Sequence, residues 1–412
     1  MRIAILGYGV EGKAAEQYFT EKGHDCQVFD NFTAKDIPNF QLENFDLVLR
    51  SPSVHPAEGW SSLTQYFFQN CPCQIIGVTG TKGKGTTSTI ITALLRALGH
   101  NVYLVGNIGV SAITALDAIQ PDDVVVYELS SFQLWDLKQS PHIAVVLRVE
   151  PDHLNIHDDF ADYVAAKANI TAHQTSDDCC VFYNNNPVSA EIAAHSAGTK
   201  IPYPVQSERA ELDALLATLN LPGAHNQENA EAALLTCATF SSQSMTEFIA
   251  THRPTIEQTF RKFQGLPHRL QFIRELNNVK YYDDNYSSAF PALDVALKTF
   301  EGHPTVLIAG GKDRGLDLSE TKKRIFSAPN LAKAILIGET KTALADGAGS
   351  DQFQLADSLE DAVNAARQIA ESIGQPAIVL MSPGAASFDM FKNFEDRGNQ
   401  YQQIIKNLKE TL

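Results

Sequence analysis

Short, almost wholly apolar runs alternate along the chain with segments whose apolar residues recur every three or four positions. This pattern predicts parallel strands covered by helices, an α/β fold, and three such units are legible. In the first, a strand over Arg2-Leu6 passes through Gly7-Tyr8-Gly9-Val10-Glu11-Gly12 into a helix ending near Lys22, with further strands at Gln27-Asp30 and Asp46-Leu49 and an end near Pro72. The second opens on the apolar run before Gly80 and adds Val124-Glu128 and Ile143-Arg148, continuous runs that suit strands buried on both faces. A helix is expected from Gln227 to about Phe240, and Phe263-Arg269 reads as the exit from this unit. The third alternates strands at Val279-Tyr282, Thr305-Ala309, Ala334-Gly338 and Ala377-Met381 with helices at Pro291-Phe300 and Asp357-Ser372. Leu359, Val363 and Ala366 form an apolar stripe on the last helix, with Asp357 as its N-cap. The expected domains are 1–73, 74–270 and 271–412.

Composition narrows the partners. The 412 residues are 44% hydrophobic, enough to fill several cores. A formal net charge of −16 argues against a general nucleic-acid binder and against an anionic membrane surface, since both need clustered Lys and Arg. The six cysteines match neither a zinc ribbon nor a disulfide framework. No apolar run suits a signal peptide or a membrane span, so a cytoplasmic protein with no membrane partner is expected.

The strongest chemical signal is Gly80-Thr81-Lys82-Gly83-Lys84-Gly85-Thr86-Thr87, set between a strand and a helix. Glycines let the backbone N–H groups face inward, Lys84 reaches terminal phosphates, and the helix entering at Thr86 or Thr87 aims its positive end at the anion. That is a nucleoside triphosphate site. Gly85 occupies the place where a P-loop usually carries Ser or Thr, so the hydroxyl facing magnesium is assigned to Thr86.

Other motifs are weaker alone. Gly7-x-Gly9-x-x-Gly12 with Asp30 satisfies a dinucleotide fingerprint, yet the unit ends too early for a second mononucleotide half, which favours a docked nucleotide diphosphate. Glu128 ends a central strand, where ligands sit in open α/β sheets, and His153 follows another such run after Asp152; beside a P-loop the pair suits a divalent ion. Lys167 falls in a helical pattern and, from the residues alone, reads as a solvated surface lysine.

Taken together, these stretches and several others resemble the Mur ligase family nearly from end to end. The others are Gly106-Asn107-Ile108-Gly109, Tyr127-Glu128-Leu129-Ser130-Ser131-Phe132-Gln133-Leu134, Asp152-His153, Ala165-Ala166-Lys167, His225-Asn226, Gly265-Leu266-Pro267-His268-Arg269 and Ser382-Pro383-Gly384-Ala385-Ala386-Ser387-Phe388-Asp389. The resemblance implies a Rossmann-like N-terminal domain for the UDP end of the substrate, a central P-loop ATPase domain, and a Rossmann-like C-terminal domain that brings the amino acid and closes over the site. It implies an ATP-dependent amide ligase that joins D-glutamate to UDP-N-acetylmuramoyl-L-alanine through an acyl phosphate. A monomer is expected.

Residue by residue, the resemblance gives ATP contacts to Gly80–Thr87, Asn226, Arg269 and Asp284, with Arg269 on the γ-phosphate and Asp284 on the ribose. Two magnesium ions would be held by Thr86, Glu128, His153 and a carbamylated Lys167. Contacts to the UDP substrate fall to Gly7, Gly9, Val10, Glu11, Asp30, Asn31, Ser51 and Asn107, and contacts to the amino acid to Arg314, Ser387, Phe394 and Ser288. The catalytic set is Lys84, Lys167, His153 and Arg269.

The chain departs from the family pattern at Tyr286 and Ser288, which replace a lysine and a threonine beside the amino-acid pocket, at Asn155, and at Ser53. Alternatives are a related ligase adding L-glutamate or another amino acid, a folate polyglutamylating enzyme, a nicotinamide oxidoreductase resting on Gly7, Gly9, Gly12 and Asp30, and a nucleotide sensor without catalysis. The oxidoreductase leaves Lys84 unexplained, and the sensor leaves Glu128, His153 and Lys167 unexplained.

Overall fold

A computed structural model describes residues 1–30, 44–207, 209–288 and 290–409. Among the described residues, three sheets account for the strands. The first holds β1 (Arg2–Leu6), β2 (Asp25–Phe29), β3 (Leu47–Arg50) and β4 (Ser61–Ser62), all parallel, in the order β2-β1-β3-β4. Among the described residues it has four strands, fewer than a full dinucleotide-binding sheet.

The second sheet contains β5 (Gln74–Thr79), β6 (Val102–Gly106), β7 (Val124–Glu128), β8 (Ile143–Val146), β9 (Cys179–Tyr183) and β10 (Thr199–Tyr203). Its order is β10-β9-β8-β5-β7-β6, again wholly parallel. Every residue of β7 and β8 is buried, as their unbroken apolar character requires of strands covered on both faces. The order reverses beside β5. The crevice beyond the ends of β8, β5 and β7 is therefore where a ligand fits.

The third sheet is formed by β11 (Gln271–Leu276), β12 (Val279–Asp283), β13 (Thr305–Gly310), β14 (Leu331–Ile337), β15 (Phe353–Leu355) and β16 (Ala377–Met381). Its order is β11-β12-β16-β13-β14-β15, with β11 antiparallel to β12 and the rest parallel.

Residues 1–219 with 225–261 form one compact unit, and residues 220–224 with 262–412 form another. Within the first, one apolar core runs from Ile3, Ile5 and Phe19 through Phe67 to Ile75, Val125 and Val146, so the first two sheets share it. Among the described residues no helix is long and apolar enough to cross a membrane.

Most expected elements form, with differences at their ends. The phosphate-loop helix spans Lys84–Ala97 rather than opening at Thr86 or Thr87, because Gly83, at φ 86°, turns the chain into it. The helix expected from Asp357 spans Leu359–Ser372, and its cap is Ser358, whose Oγ accepts from Asp361 N. Asp357 pairs instead with Lys341. β8 ends at Val146, short of Arg148.

Candidate active site

The phosphate loop leaves β5 and is pinned to the segment that follows β8. Thr81 N donates to Arg148 O at 2.9 Å, and Thr81 Oγ1 donates to Glu150 O at 2.8 Å. Two glycines have no substitute here. A Cβ on Gly80 (φ 151°) would lie 2.7 Å from Leu147 Cβ, and one on Gly83 would lie 2.3 Å from Asn229 Oδ1. The N-terminus of the following helix turns its first N–H groups and the positive end of its dipole toward the loop. Lys84, the first helical residue, donates from Nζ to Gly80 O (3.0 Å) and Thr81 O (3.1 Å). Thr86 is half-buried, whereas Thr87 and Ser88 are buried. Thr86 therefore presents the accessible hydroxyl of this turn. Lys82 extends into solvent, 3.9 Å from Asp152.

Lys167 is not a surface lysine. It is 1% exposed, and its Nζ donates to Thr79 Oγ1 (3.2 Å) and Gly80 O (3.0 Å) while lying 4.7 Å from the centre of the Tyr163 ring. Burial, reinforced by the nearby Lys84 charge, holds its pKa well below the usual lysine value. Residues alone could not reveal this, because the helix Phe160–Ala168 carries Lys167 on the face that packs against the phosphate loop.

Glu128 ends β7, 6% exposed, in register with Val78 and Gly106. His153 adopts φ 55° and is half-exposed, edge-on to Phe132 at 5.1 Å; burial lowers its pKa. Lys84, Asn107, Asp152, His153, Tyr163 and Lys167 line one cleft of about 420 Å³, together with Pro52, Ser53 and Ser130–Phe132. Among the described residues no three His, Cys, Asp or Glu gather to hold a metal. The donors available are Glu128, His153 and the Thr86 hydroxyl, to which a carbamate on Lys167 would add a second carboxylate. With that addition the set suits the hard, oxygen-seeking Mg²⁺.

On the first sheet, Gly7 (φ 88°) approaches Ser51 so closely that a Cβ would lie 2.1 Å from its Oγ. Asp30 Oδ1 accepts from Tyr8 N at 3.0 Å, and Val10 is exposed where the helix Val10–Glu21 begins at Gly9. Asn31 lies outside the described residues. Glu11 turns inward and accepts from Gln133 Nε2 at 2.9 Å. Gln133 in turn closes a capping box with Ser130.

The second unit gathers its expected residues at the ends of three neighbouring parallel strands. The segment after β12 carries Asp284, Tyr286 and Ser288, that after β16 carries Ser387, and that after β13 carries Arg314. Arg314 and Ser288 are exposed, Ser387 is buried, and Phe394 opens the helix Phe394–Asn407. Asp284 lies inside its own loop. Its carboxylate accepts from Leu270 N (3.1 Å), Ser382 Oγ (2.7 Å) and Ser287 Oγ, and burial raises its pKa to about 6. Arg397, fully buried, joins two of these loops through Asn285 Oδ1 (2.7 Å) and Ala385 O (3.2 Å). A larger hollow of about 670 Å³ in this unit, between the helices Leu359–Ser372 and Phe394–Asn407, contains none of the expected residues.

Residues 78–237 match the model of the Mur ligase middle domain. Over 99% of its length the chain is 31% identical to UDP-N-acetylmuramoylalanine--D-glutamate ligase of Clostridium tetani, of which 97% is covered. It is 32% identical, with the same coverage, to the enzyme of that name from Acetivibrio thermocellus. The chain belongs to the Mur ligase family. The fold agrees: UDP-N-acetylmuramate-alanine ligase of Thermotoga maritima superposes with a TM-score of 0.60 at 16% identity, covering 99% of this chain and all of the other.

Several residues that shape this Mur ligase site were not singled out from the sequence. His157 is wholly buried, with Nδ1 2.7 Å from Asp162 Oδ2 and Nε2 2.9 Å from Ser131 Oγ, and it stacks on Phe132. Arg50, equally buried, donates to Asp136, Phe132 O and Val54 O, and so ties the end of β3 to the segment after Glu128. No local spacing in the sequence signals the contacts of either residue.

Glu11 carries a testable cost. Burial raises its pKa to about 7 from 4.5. A folded-state value above the unfolded one means that the stabilising contribution is complete below about pH 4.5 and is lost as pH rises through 7. Glu11→Gln keeps an acceptor for Gln133 without the buried charge. It is expected to stabilise the protein by up to about 2 kcal/mol at pH 8 and by nothing at pH 4, as thermal melts at the two pH values would show. Equal melting of both proteins at pH 8 would exclude a buried charge there.

Proposed function

We propose that this ligase joins D-glutamate to UDP-N-acetylmuramoyl-L-alanine at the expense of ATP, in cytoplasmic peptidoglycan precursor synthesis. The observation that carries the reading is the convergence of Lys84, Asn107, His153 and a buried Lys167 in one cleft at the carboxyl ends of β5, β7 and β8. An oxidoreductase has no use for that set. The domains run 1–73, 74–270 and 271–412, one sheet in each, and the enzyme acts as a monomer.

In the first step the alanyl carboxylate attacks the γ-phosphorus of ATP, giving an acyl phosphate and ADP. In the second the amino group of glutamate attacks the acyl carbon, forming the amide and releasing phosphate and a proton. Both steps concentrate negative charge. Lys84 and the N–H groups of the loop offset it with donors already in place, so little reorganisation is needed. Arg269 serves the γ-phosphate, and Asn226 with Asp284 the nucleoside.

Thr86, Glu128, His153 and carbamylated Lys167 would hold two magnesium ions. Bound there, Mg²⁺ supplies charge neutralisation at the phosphoryl oxygens. Gly7, Gly9, Val10, Glu11, Asp30, Asn31, Ser51 and Asn107 receive the UDP substrate. Arg314 holds a glutamate carboxylate through paired N–H donors, with Ser387, Ser288 and Phe394 around the rest of the amino acid.

Phosphate release from ATP, followed with UDP-N-acetylmuramoyl-L-alanine and D-glutamate, L-glutamate or D-aspartate, tests the reading. We expect turnover to require the uridine substrate and to favour D-glutamate, with Arg314→Ala raising the KM for glutamate by about tenfold or more. Preference for L-glutamate would overturn the stereochemical assignment. Indifference to the uridine substrate would overturn the function.

A further inference from the structure

Tyr286 stands where the family usually carries a lysine, and its ring touches two residues that the proposed reaction uses. The Arg269 guanidinium carbon lies 3.8 Å from the ring centroid, and the Phe394 ring meets it edge-on with centroids 5.0 Å apart. Tyr286 itself is 48% exposed, so its ring is not a core filler.

The backbone that presents Arg269 is strained on both sides. His268 (φ 60°) and Leu270 (φ 43°) both adopt the left-handed region that L residues enter only when their surroundings hold them there. The segment carrying Tyr286 does the holding. Tyr286 N donates to His268 O at 2.9 Å, Leu270 N donates to Asp284 Oδ1 at 3.1 Å, and His268 Nδ1 lies 2.7 Å from Asp283 Oδ2. Arg269 is thus fixed at its backbone by residues 283–286 and at its head by the ring of Tyr286.

A carboxylate could also hold a guanidinium, but it would cancel the charge that a phosphate needs. A lysine would repel it. An aromatic face attracts the cation while leaving the in-plane N–H donors available to an anion. We propose that Tyr286 is a positioning residue that aims Arg269 at the transferring phosphoryl group and couples it to Phe394 of the amino-acid pocket. The inference rests on the function proposed above.

The full-length protein is assayed by steady-state ligation, varying ATP and D-glutamate in turn, with a thermal melt of each variant. Tyr286→Phe, which keeps the ring, should match the wild type. Tyr286→Leu should lower kcat/KM for ATP and for D-glutamate by about five- to tenfold, with an unchanged melt. In an Arg269→Ala background the same Leu substitution should leave kcat/KM for ATP unaltered, because the group it positions is gone. A silent Tyr286→Leu in an active enzyme, or an effect that adds in full to that of Arg269→Ala, would overturn the positioning role. A wild type that does not ligate at all overturns the proposed function, and this inference with it.

Discussion

Lys84→Ala is expected to lower ligation by about three orders of magnitude or more while the protein folds as before. The ammonium is the fixed positive charge at the mouth of the phosphate loop, anchored to the carbonyls of Gly80 and Thr81 at 3.0 and 3.1 Å. It is already in place when charge builds on the transferring phosphoryl group, so no other side chain can take over without reorganisation. The structural loss is small by comparison. The turn itself rests on Gly83, on Thr81 N to Arg148 O and on Thr87 N to Gly83 O, none of which needs the lysine side chain. Two side-chain bonds to carbonyls at a half-buried site contribute about 1–2 kcal/mol, a few degrees of melting temperature. Single-turnover phosphate release alongside a thermal melt separates the two effects, and wild-type ligation by a folded Lys84→Ala protein would remove the ATP site from this loop.

The second large effect is expected at Lys167. Its amine is buried against Thr79 and Gly80, in a setting that depresses its pKa and favours the neutral form. A neutral amine adds to carbon dioxide, forming an N–C bond and releasing one proton, and the product is a carboxylate. Lys167→Ala should therefore lose activity by about two to three orders of magnitude, and short carboxylates such as formate or acetate, admitted into the space left behind, should restore part of it. If the lysine served only to prop the phosphate loop, activity would fall with the substitution but carboxylates would restore nothing. Activity measured against added formate or acetate decides between these roles.

Both effects depend on a feature that differs in how far it could be read beforehand. The phosphate loop is local: glycines at Gly80 and Gly83, a lysine and an apolar strand fall within one stretch of chain, and the backbone angles demanded there leave few residue choices. The same holds for the strands β1, β7 and β16, whose ends match the apolar runs that predict them. Helix starts were less legible. Ser358 caps where Asp357 was expected, since either side chain can accept from an N–H two or three residues on and only the path of the chain chooses.

By itself, then, the sequence determined the α/β class, the three sheets and the phosphate loop, because each follows from the periodicity or conformational demand of a short segment. Tertiary structure alone decided which side chains meet. It buried Lys167, which the residues taken singly place on the surface, and set His157 between Ser131 and Asp162. It drew Arg50 onto Asp136 and laid Arg269 on the ring of Tyr286. Those partners lie between 5 and 86 residues apart in the chain, and no local propensity encodes such a pairing. It arises from the order in which parallel strands assemble, which brings the carboxyl ends of β8, β5 and β7, and of β12, β16 and β13, side by side.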